Sequence, residues 1–296
     1  MRKRIRQLAV ISGKGGTGKT TIVAAFAALA KNAVLADCDV DAPDLHLILR
    51  PQIEEKMDFS GLEVARIDAE KCVECGECRD HCRFAAIDET MRVIDERCEG
   101  CGVCELVCPV GAVELLERKA GVAYVSRTGF GPMAHAELEP GGEASGKLVT
   151  LVRENARMLA EKHDRTLIII DGAPGTGCPV IAAVSGTDLV LIVTEPTLSG
   201  IHDMERVIGV CKHFGIPSVV CINKCDVNEE NTARIESWCS GRSIEVIGKI
   251  PYDNIVTEAM IHEKTIVEYS QGKISRETRK IWRDTVRRLA SPAYLA

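Results

Sequence analysis

The chain has 296 residues, of which 46% are hydrophobic and 27% charged, so it can bury the core of one large domain or two unequal ones and is not globally disordered. Its 37 basic and 43 acidic side chains give a formal charge of −6, which offers no general electrostatic footprint for nucleic acid or an anionic membrane. The sequence contains no run of about 18 apolar residues, the length that a membrane-spanning helix needs, and we expect a cytoplasmic protein.

Basic residues open the chain, and the apolar run that follows, 8–12, ends at a glycine-rich loop rather than at a cleavage site. We interpret this run as the first strand and not as part of a signal peptide. The loop, 13–20, reads Gly-Lys-Gly-Gly-Thr-Gly-Lys-Thr, and an alanine-rich, helix-favouring stretch follows over 22–31. Glycines let the backbone N–H groups of such a loop turn toward phosphate oxygens, and the helix N-terminus adds a favourable dipole. The pattern predicts a P-loop in which Lys19 reaches the β- and γ-phosphates and the Thr20 hydroxyl binds Mg²⁺.

The second predicted strand, 34–36, ends at Asp37, and Asp39 follows two residues later. Later candidates for buried strands are apolar runs separated by helical patterns, at 167–170, 189–193, 219–222 and 246–250. This alternation predicts an α/β fold, a mostly parallel sheet flanked by helices. Residues 126–147 are rich in Gly, Pro, Ser and Thr, and we interpret them as a long loop that returns the chain to the sheet.

The composition of the sequence changes between residues 66 and 118, where closely spaced cysteines replace the long apolar runs. Two runs share the spacing Cys-x2-Cys-x2-Cys-x3-Cys, one beginning at Cys72 and the other at Cys98. The predicted organisation is therefore a P-loop domain over 1–65, an inserted ferredoxin-like domain of the bacterial (α+β) type over 66–118, and the second part of the P-loop domain over 119–296.

The cysteine spacing matches that of bacterial ferredoxins, in which the fourth cysteine of each run ligates the other run's cluster. The predicted [4Fe-4S] ligand sets are Cys72, Cys75, Cys78 and Cys108 for one cluster, and Cys98, Cys101, Cys104 and Cys82 for the second. Cys-x2-Cys pairs also bind Zn²⁺, but two matched runs of four disfavour that alternative. Disulfides are disfavoured as well, because they rarely persist in a reducing cytosol. Pro109 follows Cys108 as in bacterial ferredoxins, whereas Arg83 follows Cys82, a departure that could alter that cluster's stability or potential.

Two later strand ends carry polar groups typical of nucleotide sites. The apolar run 168–170 ends in Asp171, a position suited to a Walker B carboxylate that holds Mg²⁺, and Gly172 and Gly175 would permit a switch loop. The run at 219–222 is followed by Asn-Lys-Cys-Asp, residues 223–226, which matches the guanine-binding Asn-Lys-x-Asp motif of GTPases. Both ATP and GTP are candidates on this pattern.

With Lys14 as a second lysine early in the P-loop, the sequence resembles the superfamily of MinD, ParA, Mrp and nitrogenase iron protein, whose P-loop is a deviant Walker A motif. The resemblance covers nearly the whole chain, and the cysteine runs mark an inserted two-cluster ferredoxin domain. It implies that Lys14 reaches the phosphates of the partner chain's nucleotide in an ATP-bound homodimer, and that Asp39 orients or activates the attacking water. Asp37 can serve instead as a cap or turn residue. Ala173 departs from the proline of the corresponding Mrp segment.

The resemblance also implies ATP as the nucleotide, since an Asn at the position of Asn223 contacts adenine in this superfamily and residues 250–253 resemble its second base-binding segment. The catalytic candidates are Lys14, Lys19 and Asp39, and the Mg²⁺ candidates are Thr20 and Asp171. The candidate nucleotide-binding residues are Gly13, Gly15, Gly16, Thr17, Gly18, Lys19, Thr20, Thr21, Asn223, Pro251 and Asp253.

Three functions are compatible with these motifs. The favoured one is an Mg-dependent ATP hydrolase whose dimer switching is coupled to electron transfer through two [4Fe-4S] clusters to an unidentified redox partner or metalloprotein. A second is an iron–sulfur carrier or metal-centre maturation factor of the Mrp kind, although the C-terminal Cys-x-x-Cys of such carriers has no counterpart here. A third is a MinD-like positioning ATPase with a membrane-binding helix at 274–289, a segment that we interpret instead as the last helix packed on the sheet. Nucleic acid is not an expected partner, and membrane association is not expected either.

Overall fold

The computed structural model describes residues 4–139 and 144–290, and the chain divides into two compact units. The P-loop unit comprises Met1–Lys56, Ala123–Glu137 and Gly146–Ala296. The cysteine unit comprises Met57–Val122 and Leu138–Ser145. The segment for which an inserted domain is predicted, 66–118, lies inside the first part of the cysteine unit.

In chain order, the strands formed by the described residues are β1 (Arg6–Ser12), β2 (Ala33–Cys38), β3 (Gln52–Ile67), β4 (Val113–Thr128), β5 (Gly131–Leu138), β6 (Leu167–Pro174), β7 (Leu189–Thr194), β8 (Ser218–Asn223) and β9 (Glu245–Ile250). The α-helices are α1 (Lys19–Leu29), α2 (Leu45–Leu49), α3 (Glu77–Asp80), α4 (Val103–Leu106), α5 (Ser145–Lys162), α6 (Cys178–Val184), α7 (Leu198–His213), α8 (Glu229–Ser240), α9 (Ile255–Ile261), α10 (Ile266–Tyr269) and α11 (Lys273–Ala290). A short 3-10 helix spans Asp95–Arg97.

The described strands form one nine-stranded sheet in the order β3-β4-β5-β2-β6-β1-β7-β8-β9. Every neighbouring pair from β5 onward in that order is parallel. Strands β2 and β7 are buried along their whole length, because apolar side chains at successive positions fill both faces of a sheet that helices cover. The predicted α/β fold and the predicted strands at 8–12, 34–36, 167–170, 189–193, 219–222 and 246–250 are confirmed.

The prediction of one long loop over 126–147 is wrong. Strand β4 continues to Thr128, and β5 begins only two residues after it ends. The Thr128 hydroxyl fixes this turn, because it accepts from the backbone N–H of Phe130 and donates to the carbonyl of Gly131. The turn thus occupies 129–130, and Met133 and its neighbours form a buried strand paired with β2. Residues 140–143 of the predicted loop lie outside the described residues.

The last helix, α11, packs its apolar side into the core of the P-loop unit. Ile274, Ile281 and Leu289 are buried, and Trp282 lies with its ring centroid 4.9 Å from that of Phe26 on α1. This agrees with the interpretation of 274–289 as a helix packed on the sheet. None of the helices in the described part of the chain combines the length and apolar character needed to span a membrane.

The core of the cysteine unit is small and is built around its cysteines. Ala65, Cys78, Ile87 and Val113 are buried together, and four further cysteines and four other hydrophobic side chains, partly buried themselves, pack against them. Helices α3 and α4 are four residues long, and each follows a glycine with positive φ, Gly76 or Gly102. The repeat in the sequence is therefore also a repeat of backbone structure.

Candidate functional sites

The P-loop lies where β1 ends and α1 begins, at the carboxyl edge of the parallel strands. Asp39 follows the end of β2, and Asp171 lies near the end of β6. Ligands of open α/β sheets bind outside this edge because the loops that follow the strands meet there. A cavity of about 610 Å³ occupies the position and is lined by Gly15, Gly16, Thr17, Gly18, Lys19, Thr20, Thr21 and Asp39, among others.

Lys19 is held by two carboxylates at the floor of this cavity. Its Nζ lies 2.7 Å from Asp171 Oδ1 and 3.4 Å from Asp39 Oδ2. Burial lowers the pKa of Lys19, but the charges of Asp171 and Asp39 outweigh that effect and hold the pKa above its ordinary value. Lys19 is therefore a buried cation whose present partners are the carboxylates predicted for catalysis and for Mg²⁺.

The carboxyl groups around Lys19 are themselves strongly desolvated. Burial raises the pKa of Asp171, and the Lys19 ammonium opposes that rise. One oxygen of Asp171, Oδ2, is buried and has no hydrogen-bond partner within the described residues. A buried carboxylate oxygen without a partner is costly, so this atom is poised to receive a ligand.

Asp37 supports the backbone, which is the alternative role that the sequence analysis left open for it. It is fully buried in β2, and its two oxygens accept from the backbone N–H groups of Asp39 and Leu45. Burial, reinforced by the charge of Asp171, raises the pKa of Asp37 well above its usual range. Asp37 thus holds the loop that carries Asp39.

Lys14 has different partners from Lys19, all of them in its own chain. Its Nζ lies 2.5 Å from Glu195 Oε1, and the hydroxyls of Thr197 and Ser199 accept from it at 3.2 Å. Glu195 also binds Lys224 at 3.1 Å. Burial alone would raise the pKa of Glu195, but hydrogen bonds from the two lysines lower it below its ordinary value.

A second cavity of about 290 Å³ adjoins the P-loop and is lined by predicted base-binding residues. Asn223, Pro251 and Asp253 contribute to its walls, together with Tyr252 and apolar side chains. The Asn223 side-chain amide donates to the carbonyl of Thr17 at 2.8 Å, which orients its carbonyl oxygen. Gly18 adopts a φ of 87°, which favours glycine, and a Cβ there would also lie 2.4 Å from that amide.

The predicted switch segment contains two glycines with different physical roles. Gly172 lies inside β6, where a Cβ would meet Ile11 at 2.6 Å, so it permits close packing rather than mobility. Gly175 adopts a φ of 97°, which a residue with a side chain rarely tolerates. Beyond it, the Thr176 hydroxyl accepts from Arg206 on α7 at 3.1 Å.

The two predicted cysteine sets each line one cavity of the cysteine unit. Cys72, Cys75, Cys78 and Cys108 line the first. Cys82, Cys98, Cys101 and Cys104 line the second. Each cavity thus combines three cysteines of one run with the fourth cysteine of the other.

Backbone N–H groups point at several of these sulfurs. Ala112 N lies 3.2 Å from Cys108 Sγ, and Ala86 N lies 3.4 Å from Cys82 Sγ. The same contact to the fourth cysteine is therefore made in both runs, although Arg83 stands where the second run has proline. Among the described residues, no group of three or more His, Cys, Asp or Glu side chains is arranged to hold a single metal ion.

Sequence reasoning did not identify Glu195 or Arg206. Glu195 directly follows β7, at the same sheet edge as Asp39, and this placement was the available signal. Arg206 lies in the middle of α7 among other charged residues, and no pattern in the sequence predicts its contact with the switch segment.

A P-loop at the carboxyl edge of a parallel sheet, with a buried lysine, nearby carboxylates and an adjoining pocket, defines a P-loop nucleotide-binding protein of the α/β class. The family model for the CobQ/CobB/MinD/ParA nucleotide binding domain matches residues 8–266. The chain belongs to this family, which is the MinD/ParA superfamily of P-loop ATPases predicted from Lys14 and the rest of the P-loop.

Several proteins are similar along nearly the whole chain. An uncharacterized protein of Methanocaldococcus jannaschii is 34% identical over 281 residues, 94% of this chain and 95% of that protein. The septum site-determining protein MinD of Bacillus subtilis is 25% identical over 286 residues, 93% of this chain and 87% of that protein. The structure of MinD from Pyrococcus horikoshii complexed with Mg-ADP has a TM-score of 0.59 at 17% identity and covers 95% of this chain and 96% of that one. This structural likeness reflects a shared fold.

Proposed function

We propose that this protein is an ATP hydrolase in which nucleotide-driven switching of a homodimer is coupled to electron transfer through two [4Fe-4S] clusters. The observation that carries the proposal is the pair of four-cysteine cavities in a chain that also belongs to a P-loop ATPase family. Joining the two kinds of site in one polypeptide favours a function in which one site controls the other.

The donor chemistry of the two cavities suits iron–sulfur clusters. Four thiolates complete the ligation of a [4Fe-4S] cluster, and N–H groups directed at sulfur are a recognised means of tuning its potential. Cys72, Cys75, Cys78 and Cys108 would hold one cluster, and Cys82, Cys98, Cys101 and Cys104 the other; when bound, each would supply one-electron redox chemistry. A structural zinc ion would need its ligands much closer together than a four-iron cluster does, and the described residues hold no such group.

The phosphate site suits ATP and Mg²⁺. The phosphates of ATP would replace the carboxylates as partners of Lys19, leaving Asp171 to act as the metal ligand through its unpartnered Oδ2. The Thr20 hydroxyl lines the same cavity and would be the other protein ligand, while bound Mg²⁺ would offset phosphate charge. Asp39 is only partly buried and would orient the attacking water; burial raises its pKa, which suits it to accept a proton.

One contact in the base pocket is compatible with adenine, and a second disfavours guanine. Asn223 is oriented by its bond to Thr17, so its carbonyl oxygen can accept from an exocyclic amino group. Asp226 matches the guanine-binding aspartate of GTPases, but its Oδ1 accepts from the backbone N–H of Tyr252 at 2.7 Å. Asp226 therefore supports the loop carrying Pro251, and we propose that ATP is the nucleotide.

The homodimer is proposed on the position of Lys14. Its ammonium contacts Glu195 and the hydroxyls of Thr197 and Ser199, whereas the ammonium of Lys19 contacts Asp171 and Asp39. If Lys14 acts on phosphate, the phosphate belongs to a second copy. ATP binding would then draw Lys14 from Glu195 to the partner chain's nucleotide.

The proposal is tested by an anaerobic EPR redox titration of the reconstituted protein with and without MgATP, after iron and sulfide counts. We expect two cluster signals and a nucleotide-dependent midpoint potential or rate of acceptor reduction. MgADP is the matched control, because it occupies the site without a γ-phosphate. Clusters absent after reconstitution, or clusters indifferent to ATP, would defeat the coupling.

Similarity to MinD proteins favours a second candidate, a positioning ATPase. Vesicle co-sedimentation with and without MgATP separates the two candidates. The buried apolar side of α11 leaves that helix without a free face for a bilayer, so nucleotide-dependent sedimentation would require another contact surface and would support the positioning role.

A further inference from the structure

The two halves of the cysteine unit share a backbone but differ in surface chemistry. Gly76 accepts from Asp80 N at 3.0 Å, and Gly102 accepts from Leu106 N at 3.1 Å. Asp80 and Leu106 therefore occupy equivalent positions in α3 and α4. Because the repeat supplies two copies of one local structure, residues that the fold itself requires should be alike in both.

At the exposed positions, the two short helices are unlike. Helix α3 carries Glu77 and Asp80 where α4 carries Val103 and Leu106. The Leu106 side chain is 86% exposed, and Val103 is 38% exposed. Exposing a leucine rather than burying it forgoes about 1.5–3 kcal/mol of favourable transfer free energy. Since Asp80 serves the same backbone position in α3, folding does not require the leucine.

The exposed apolar residues adjoin the second cysteine cavity. Phe84 and Val103 line this cavity together with the four cysteines, and Phe84 is 44% exposed. Leu106 lies three residues beyond Val103 and so on the same face of α4. We name Phe84, Val103 and Leu106 the Leu106 patch. It places apolar contact surface beside Cys101, a cysteine that is itself exposed.

The charge around the patch restricts what can bind there. Segment 57–122 carries 15 acidic and 8 basic side chains, counting Asp, Glu, Lys and Arg. Glu99 lines the same cavity as the patch, and Glu105 lies on α4 beside Leu106. Arg83, next to Phe84, and Arg97, which donates to the carbonyl of Ala85, are basic neighbours of the patch. A complementary partner would present an apolar centre surrounded by Lys and Arg.

We propose that the Leu106 patch docks a basic, one-electron acceptor protein and that electrons leave through the cluster held by Cys82, Cys98, Cys101 and Cys104. This rests on the proposed function and adds to it the exit cluster and the partner's surface chemistry. In the transfer, the reduced cluster loses one electron and the acceptor's redox centre gains it, with no proton transferred and no bond broken. A small patch suffices, since electron-transfer encounters bury little area.

The test uses dithionite-reduced, cluster-loaded protein and oxidised mitochondrial cytochrome c, a basic haem protein, as the probe. Stopped-flow absorbance gives the second-order rate constant for haem reduction. Leu106→Asn removes the apolar side chain without changing charge, and we expect it to lower that constant about fivefold. The matched control is Leu116→Asn, because Leu116 on β4 is 44% exposed and lines neither cysteine cavity. We expect the control to transfer at the unaltered rate.

Four further measurements make the result decisive: reduction of a small acceptor, dependence on ionic strength, iron and sulfide content, and oligomeric state. Both variants should reduce methyl viologen, a small non-protein acceptor, at the unaltered rate, and rising ionic strength should slow transfer to cytochrome c. Full iron and sulfide content with unchanged transfer by Leu106→Asn would overturn the docking site and leave the proposed function standing. Equally slow transfer by Leu116→Asn would mean that loss of any exposed apolar side chain of this unit slows transfer, and would overturn the assignment to the Leu106 patch. Loss of an oligomer in Leu106→Asn with unchanged transfer would make the patch a self-contact, and absence of iron and sulfide in the unaltered protein would defeat the proposed function itself.

Discussion

The P-loop unit and the cysteine unit assemble their sites in opposite ways. Lys19 and Asp171 are separated by 152 positions and meet only because β1 and β6 are parallel neighbours. The cysteines that line the two cavities all lie between Cys72 and Cys108, on short loops and four-residue helices. The first site therefore depends on a complete core, whereas the second depends mainly on local spacing.

The two sites also differ in electrostatic cost. In the P-loop unit a buried ammonium offsets buried carboxylates, so removing one charge leaves another unpaired. In the cysteine unit the side chains are thiols, which are weakly polar, and backbone N–H groups already approach several sulfurs. Substitutions should therefore affect stability and hydrolysis in the first unit and metal content in the second.

The largest effect is expected from Lys19→Ala, which should lower ATP hydrolysis about a thousandfold or more because the phosphates lose their buried cation. Loss of the partner of Asp171 should also cost about 3–5 kcal/mol of unfolding free energy. A coupled hydrolysis assay and urea unfolding measure the two effects, with exposed Lys31→Ala as the control. Iron content should not change, and hydrolysis at the unaltered rate would refute the assignment of Lys19.

Next, Lys14→Ala should reduce hydrolysis about a hundredfold while leaving ATP affinity within about threefold, because its proposed target is the partner chain's nucleotide. Glu195→Gln is the matched variant, since it weakens the intrachain contact and keeps the lysine. We expect it to lose much less activity. Sedimentation velocity with MgATP follows dimer formation; equal losses in both variants would mean that Lys14 acts through Glu195 in its own chain.

A pH effect should appear in the P-loop unit through His135. Its Nε2 lies 2.9 Å from Ser126 Oγ, and burial, with a smaller contribution from the charge of His46, lowers its pKa to about 4. Because the folded-state pKa of His135 lies below the ordinary 6.5, a proton binds the unfolded state more tightly than the folded state. The contribution of His135 to the free energy of unfolding is therefore fully present above pH 6.5 and is lost as the pH falls toward 4. The loss amounts to about 3 kcal/mol of unfolding free energy. His135→Gln should flatten urea-unfolding stability over this range, and exposed His163→Gln should not; parallel curves for all three proteins would contradict the prediction.

The smallest change, about twofold, is expected in metal content for Cys78→Ser. A serine hydroxyl does not supply a thiolate, so reconstituted protein should bind about half the iron and sulfide. ATP hydrolysis measured without an electron acceptor should stay at the unaltered rate. Cys178→Ser, at an exposed cysteine of the P-loop unit, controls for general thiol loss. Full iron content in Cys78→Ser would remove this residue from the predicted ligand set.

The sequence predicted the P-loop and six strands, β1, β2 and β6–β9, because phosphate binding requires glycines at fixed positions and buried parallel strands are continuous apolar runs. It missed β3 and β4, because most side chains of β3 and of the first half of β4 are not buried and form no such run. It failed at β5, where turn-forming residues on both sides concealed a short buried strand around Met133. Glu195 escaped notice because a single carboxylate after a strand is common, and its importance comes from Lys14 and Lys224 converging on it. Contacts between distant residues of this kind depend on topology, which local patterns do not encode.

The exchange of the fourth cysteine between the two runs has a consequence for biosynthesis. A nascent chain that has reached Cys104 presents three cysteines of the first cavity, and that cavity is complete only once Cys108 has been added. Because Cys108 precedes both Asp171 and Asn223, a ribosome finishes both cysteine sets before it makes the rest of the nucleotide site. If the cysteine sets hold clusters as proposed, translation order would complete the cluster ligands before the nucleotide site exists.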